Sequence, residues 1–237
     1  LRTSAHIEST EGVEVGLKAG VDTIEHGAPL TDDLLKLFKK NGLGNASSLT
    51  CTLSPALPFA VLSPEKTHST HVQKVNGRVV YEGVATATRQ ALANGIPVGL
   101  GTDSACPFVT HYDMWREVVY FQRHTGVTPE FALHTATLKN AQLLGVAEET
   151  GSIEPGKSAD LIVLDANPLD DLCALREVEQ VYMAGKPVKY KAKHLPKVDA
   201  ELDSIMNGLD NDPFVSEWNV AGEKKSLNPF AKRAAKE

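Results

Sequence analysis

A chain of 237 residues with 42% hydrophobic residues can bury a core of domain size, which excludes a wholly disordered protein. Its formal net charge of −6, from 24 Lys plus Arg against 30 Asp plus Glu, offers no basic face to a phosphate backbone or to anionic lipid, so neither nucleic acid nor membrane is an expected partner. Three cysteines, Cys51, Cys106 and Cys173, lie far apart and offer neither a disulfide framework nor a CxxC metal site, which suits a reducing, cytoplasmic setting.

The first 145 residues alternate short apolar runs with helix-like segments, the rhythm of βα units around a parallel sheet. Residues 2–7 read as a strand, followed by a helix with Val13 and Leu17 on one face and Gly20 at its end. The second strand spans 21–26. Thr31 then caps a helix with Asp32 and Asp33 in its first turn, Leu34, Leu37 and Phe38 on one face, Lys39 and Lys40 in its last turn, and Gly42 beyond. The third strand covers 47–53. The stretch 54–76 holds three prolines together with His68 and His71, and reads as a long loop before a helix over 79–93. In the fourth strand, 96–101, Ile96, Val98 and Leu100 alternate with Pro97, Gly99 and Gly101, small residues that admit a ligand or another backbone. Helices over 112–124 and 129–144 follow, the second with Thr128 as N-cap, Pro129 at its first position and Gly145 at its end. Past Gly145 come a turn at 151–157 and short strands at 159–164, 178–183 and 187–190, the pattern of a small β module. From 191 the chain is charged and aperiodic, and a loosely held tail is expected, apart from a short helix over 199–206.

His6, His26 and Asp103 share one address, at or just beyond the C-terminal end of a predicted strand. In a parallel βα barrel that face carries the active site. Two imidazoles and a carboxylate converging from different strands suit a divalent metal such as zinc, which lowers the pKa of a bound water towards neutrality while a nearby carboxylate takes its proton. Taken singly, each has a structural explanation: a strand-end histidine is commonly hydrogen bonded, and Gly-Thr-Asp-Ser can open a helix. Their conjunction on successive units points to a site. His111, on the loop after Asp103, is a candidate substrate contact. His68 and His71 are expected in solvent, His124 and His134 on helices behind the sheet. Cys51 and Cys106 have no activating partner visible in the sequence.

The segments His6-Ile-Glu-Ser-Thr-Glu-Gly12, Ala19-Gly-Val-Asp-Thr-Ile-Glu-His-Gly27, Gly99-Leu-Gly-Thr-Asp-Ser104, Thr128-Pro-Glu-Phe-Ala132 with Ala136-Thr137, and Gly151-Ser-Ile-Glu-Pro-Gly-Lys-Ser-Ala-Asp-Leu-Ile162 together resemble the metal-dependent amidohydrolase superfamily. Within it they are similar to the prolidase-like, arginine-carboxypeptidase-like and imidazolonepropionase-like group, over about residues 1–190. The resemblance implies the last four βα units of a (β/α)8 barrel over 1–150, part of a β-sandwich over 151–192, and a charged tail over 193–237. It makes His6 and His26 metal ligands from the fifth and sixth strands, and Asp103 the ligand and general base from the eighth. The family's His-x-His pair and, in two-metal members, its carbamylated lysine belong upstream of the position of His6, and nothing in the chain is expected to replace them. With Leu1 in first place, the true beginning is expected to lie further upstream.

The function so implied is metal-dependent hydrolysis of a C–N bond in a small amide, dipeptide or cyclic amide, with one or two ions, most simply zinc, activating the water. Alone, the chain is expected to be inactive and to oligomerise through its open edges or join a missing N-terminal half. The rivals are a non-catalytic fragment or partner subunit, and a metal-free α/β binding domain.

Overall fold

Alternation along the strands divides one sheet into two chemically different faces. A computed structural model describes residues 2–189 and 192–215. In it β1 (Ser4–Ile7), β2 (Thr23–His26), β3 (Ser48–Cys51) and β4 (Val98–Leu100) pair in chain order, all parallel. The register sets Ile24 beside Leu49 and Cys51 beside Leu100, so Ile24, Leu49, Cys51, Val98 and Leu100 form one buried face. Each of the four aliphatic side chains contributes about 1.5–3 kcal/mol through burial. The other face carries Ser4, His6, Thr23, Glu25, Ser48, Thr50, Gly99 and Gly101. Its polar groups bond across strands, Ser4 Oγ donating to Glu25 at 2.6 Å.

Helices cover the apolar face. α1 (Thr10–Ala19) starts at Ser9, whose hydroxyl accepts from Gly12 N at 3.1 Å, and ends at Gly20 with φ 90°. α2 (Asp32–Lys39) is capped by Thr31, and Leu34 and Phe38 are its buried residues. Both agree with the sequence expectation.

The segment after β3 differs from it. Instead of a loop over 54–76 there are two short helices, α3 (Leu57–Val61) and α4 (Pro64–Thr67), and α5 (His71–Ala93) begins well before residue 79. The cause is a capping box: Gln73 N donates to Thr70 Oγ1 at 3.2 Å and Thr70 N to Gln73 Oε1 at 2.8 Å, which satisfies the first turn from both sides. Gly77 lets α5 approach α3, because a Cβ there would sit 2.6 Å from the Phe59 Cβ. His71 is thus helical, and His68 closes α4 with φ 52°.

α6 (Met114–Thr125) lies near its expected bounds. The expected helix over 129–144 is continuous but wound in three parts: α7 (Pro129–His134), a π-turn (Thr135–Lys139) and α8 (Asn140–Leu144). The Asn140 side chain bonds both Leu100 N and Leu100 O at 2.9 Å, and a Cβ at Gly99 would sit 2.8 Å from its Oδ1. The space left by that glycine is occupied by this amide.

β5 (Leu161–Leu164), β6 (Val178–Met183) and β7 (Lys186–Pro187) form a separate antiparallel sheet that exposes Ile162, Val163, Val178, Val181 and Met183. The expected strand over 187–190 is displaced to Lys186–Pro187, and Tyr190 lies outside the described residues. The expected loose tail is docked over 196–215. α9 (Pro196–Gly208) buries Leu202, Ile205 and Met206, with Leu209 and Val215 beyond it. Arg116 reaches Asp203 at 2.8 Å and Arg78 reaches Asp212 at 2.8 Å, tying this segment to α6 and α5. Residues 216–237 of the expected tail lie outside the described residues.

Candidate metal centre

The C-terminal ends of β1, β2 and β4 bring the expected site residues together. His6 is inward on β1 by alternation, but His26 follows Ile24 by two residues and on a regular strand would face the helices. Its backbone prevents that. With φ 68° and a hydrogen bond from Gly27 N to Glu25 O at 3.0 Å, His26 sits at the centre of a γ-turn of the rare positive-φ kind. The turn re-aims the imidazole, which lies edge-on to the His6 ring with centroids 4.6 Å apart. Gly27 has φ 83°, and a Cβ there would meet Leu49 Cδ1 at 2.6 Å, so the turn requires glycine at that place.

Asp103 also has a left-handed backbone, φ 56°, and its Oδ2 stands 4.0 Å from His26 Nε2. Cys106 Sγ donates to that carboxylate at 3.2 Å. Burial, and then the bond to Asp103, push the Cys106 thiol up to about 11, so it stays protonated and able to donate. The sequence offered Cys106 no partner; the turn over 103–106 supplies one. Burial lowers the pKa of His26, the nearby His6 lowers it further, and Glu8, Asp103 and Glu25 oppose the shift. A neutral imidazole is the form that ligates metal.

One residue missing from the sequence expectation enters here. His6, Glu8 and His26 each present a donor atom within 4.8 Å of the others. Two nitrogens and a carboxylate oxygen at such separations fit a divalent ion of the zinc type after modest side-chain adjustment. The signal was available in the sequence, since Glu8 follows His6 by two residues and shares its side of the chain. His111 is exposed on the following loop with its ring edge-on to Tyr112 at 5.4 Å, and the cluster is built without it. On the same sheet face a cavity of about 250 Å³ runs along the strands against Arg2, Thr23, Glu25, Thr50, Gly101 and Leu143, and neither His6 nor His26 lines it. It is distinct from the histidine pair. His124 and His134 lie on α6 and α7, as expected.

Residues 1–188 match the amidohydrolase family. The chain belongs to that family. Similar proteins include ochratoxinase of Aspergillus niger, 27% identical over 190 residues that are 78% of this chain and 38% of the relative. Imidazolonepropionase of Thermoplasma acidophilum is 37% identical over 95 residues, 40% of this chain and 23% of the relative. Among solved structures, a prolidase-like protein of Bifidobacterium longum is 44% identical, with a TM-score of 0.84 over 87% of this chain and 51% of that one. A Xaa-Pro dipeptidase with bound methionine is 28% identical, with a TM-score of 0.66 over 80% of this chain and 45% of that one. This amidohydrolase chain therefore spans about half the length, or less, of the relatives it matches.

Proposed function

We propose that the chain is the C-terminal half of a metal-dependent amidohydrolase, four βα units of a (β/α)8 barrel with part of a β-sandwich, acting on the C–N bond of a small amide, dipeptide or cyclic amide. The observation that carries this is the convergence of His6, His26 and Asp103 at one end of a parallel sheet, two of them through left-handed backbone. His6 and His26 would hold a divalent metal, most simply zinc. When bound, the ion supplies Lewis acidity, making water easier to deprotonate and a carbonyl more electrophilic. Asp103 accepts the proton of the attacking water and returns it to the leaving nitrogen, while the Cys106 thiol fixes the orientation of its carboxylate. Three free cysteines fit a cytoplasmic setting.

The test compares the 237-residue chain with a version extended upstream by the family's His-x-His region, with zinc added, against dipeptides and N-acyl amino acids. The extended version should turn over and the shorter one stay silent, because mispositioning by about 1 Å costs on the order of a hundredfold. Asp103→Asn in the extended version should lower kcat by about 10²–10⁴. Undiminished kcat would remove Asp103 from the mechanism.

The exposed apolar side chains of β5 and β6 favour a covering partner for this sheet, a second subunit or a further stretch of a longer chain. Sedimentation of the isolated chain should then show oligomers, whereas a monodisperse monomer argues against an open apolar face.

A further inference from the structure

Beside the two histidines the end of β1 presents a carboxylate to which the family resemblance gives no role. We propose that His6, Glu8 and His26 form a three-ligand site for a borderline divalent cation of the zinc class, with Glu8 as the carboxylate ligand. This rests on the metal-dependent reading above and adds to it a ligand contained within the chain itself.

Strand periodicity supplies two of the three groups. Residues two apart on β1 and its continuation share a side, so His6 and Glu8 are directed to the same space. The β1–β2 register supplies the third: Ile7, the residue between them, is the Cα partner of His26. The γ-turn then brings the His26 ring to the side of His6, edge-on at 4.6 Å. All three donors fall within 4.8 Å of one another. Ligands bonded to zinc at about 2.0–2.2 Å stand roughly 3.4 Å apart in a tetrahedron, so closure requires the donors to move inward by about an ångström. Glu8 is exposed and free to make that movement.

Its neighbours are committed elsewhere. Glu25 accepts from Ser4 at 2.6 Å and Asp22 from Thr3 N at 2.7 Å. Among the described residues the Glu8 carboxylate accepts no hydrogen bond and forms no ion pair, while two imidazoles stand within reach. Two imidazoles and one carboxylate form a donor set that zinc accepts, with a fourth position left for water. Asp103, with its Oδ2 4.0 Å from His26 Nε2, stands beside the site.

The experiment titrates Zn(II) into the 237-residue chain by calorimetry and follows Co(II) substitution by visible absorption, neither of which depends on catalysis. Wild type, Glu8→Gln, Glu8→His, His6→Asn and, as a control for an exposed acid on α1, Glu11→Gln are compared, with circular dichroism showing that each is folded. We expect one ion per chain, affinity lowered at least about tenfold in Glu8→Gln and in His6→Asn, affinity restored in Glu8→His, and no change in Glu11→Gln. Binding by Glu8→Gln equal to wild type, with loss in His6→Asn, overturns the role of Glu8 and leaves the metal reading standing. Binding that survives in both Glu8→Gln and His6→Asn, or a wild-type chain that takes up no ion, overturns the three-ligand site, while turnover by the upstream-extended version with zinc decides the metal-dependent reading separately.

Discussion

Replacing Glu117 by Gln should expose a pH dependence of stability that the wild-type protein conceals. Glu117 is fully buried on α6 and accepts from Leu53 N at 2.7 Å, from Ser54 N at 2.9 Å and from the Ser54 hydroxyl, so it fixes the chain where it leaves β3. Burial outweighs these bonds and raises its carboxyl from 4.5 to about 7. Between those values the folded state holds a proton that the unfolded state has released. The stabilisation is therefore complete below pH 4.5 and is lost as pH rises through 7. At about 1.4 kcal/mol per pKa unit the difference amounts to about 3 kcal/mol. His124, buried against Tyr81 and lowered to about 4 chiefly by burial, acts in the opposite sense. It contributes stability above pH 6.5 that is lost as pH falls towards 4, so the two groups offset each other across the acidic range. Gln at 117 does not titrate. Its deficit relative to wild type should be larger at pH 5 than at pH 8 by about 2–3 kcal/mol, measured by urea unfolding with Trp115 fluorescence on the same helix. An equal deficit at both values, or a larger one at pH 8, would refute the reasoning.

Asn140→Ala removes both hydrogen bonds to Leu100 and leaves an N–H and a C=O of β4 unpaired, so it should destabilise by about 2–4 kcal/mol in the same assay. Thr70→Ala breaks the capping box of α5 and should cost about 1 kcal/mol, with hydrogen exchange accelerated in the first turn of that helix and not at its C-terminal end.

What the sequence made legible is local. Caps such as Thr31 and Thr128, the left-handed glycines that close α1 and α8, and the alternation of Val98 and Leu100 with glycine depend on neighbouring residues alone, and they place the sheet and most helices correctly. The start of α5 was written in Thr70 and Gln73, yet the prolines before it pointed to a loop. Docking of 196–215 rests on Leu202, Ile205 and Leu209 meeting a core formed more than a hundred residues earlier, and on Asp203 and Asp212 meeting Arg116 and Arg78. Composition registers the charges and misses the partners. At the site, the strand ends gave His6, His26 and Asp103. Glu8 was legible too, from its two-residue spacing to His6, whereas Cys106 required the folded backbone, because a turn is what brings it to Asp103.

The left-handed backbone at His26 yields a further test, which separates the cost of aiming that ring from the worth of having it. A non-glycine residue at φ 68° pays roughly 1–2 kcal/mol for contact between its Cβ and the backbone. Ala ordinarily stabilises a chain relative to Gly by about 0.4–1 kcal/mol, because it restricts the unfolded state. At position 26 the order should invert. His26→Ala and His26→Gly both remove the imidazole and leave nearly the same void, so their difference reports the turn alone. The Gly variant should be the more stable by about 1 kcal/mol in urea unfolding, and both should lose zinc affinity. An Ala variant as stable as the Gly variant would mean that the turn relaxes once the ring is gone. The strain at this strand end would then be imposed by the contact of His26 with His6, not built into the loop that follows β2.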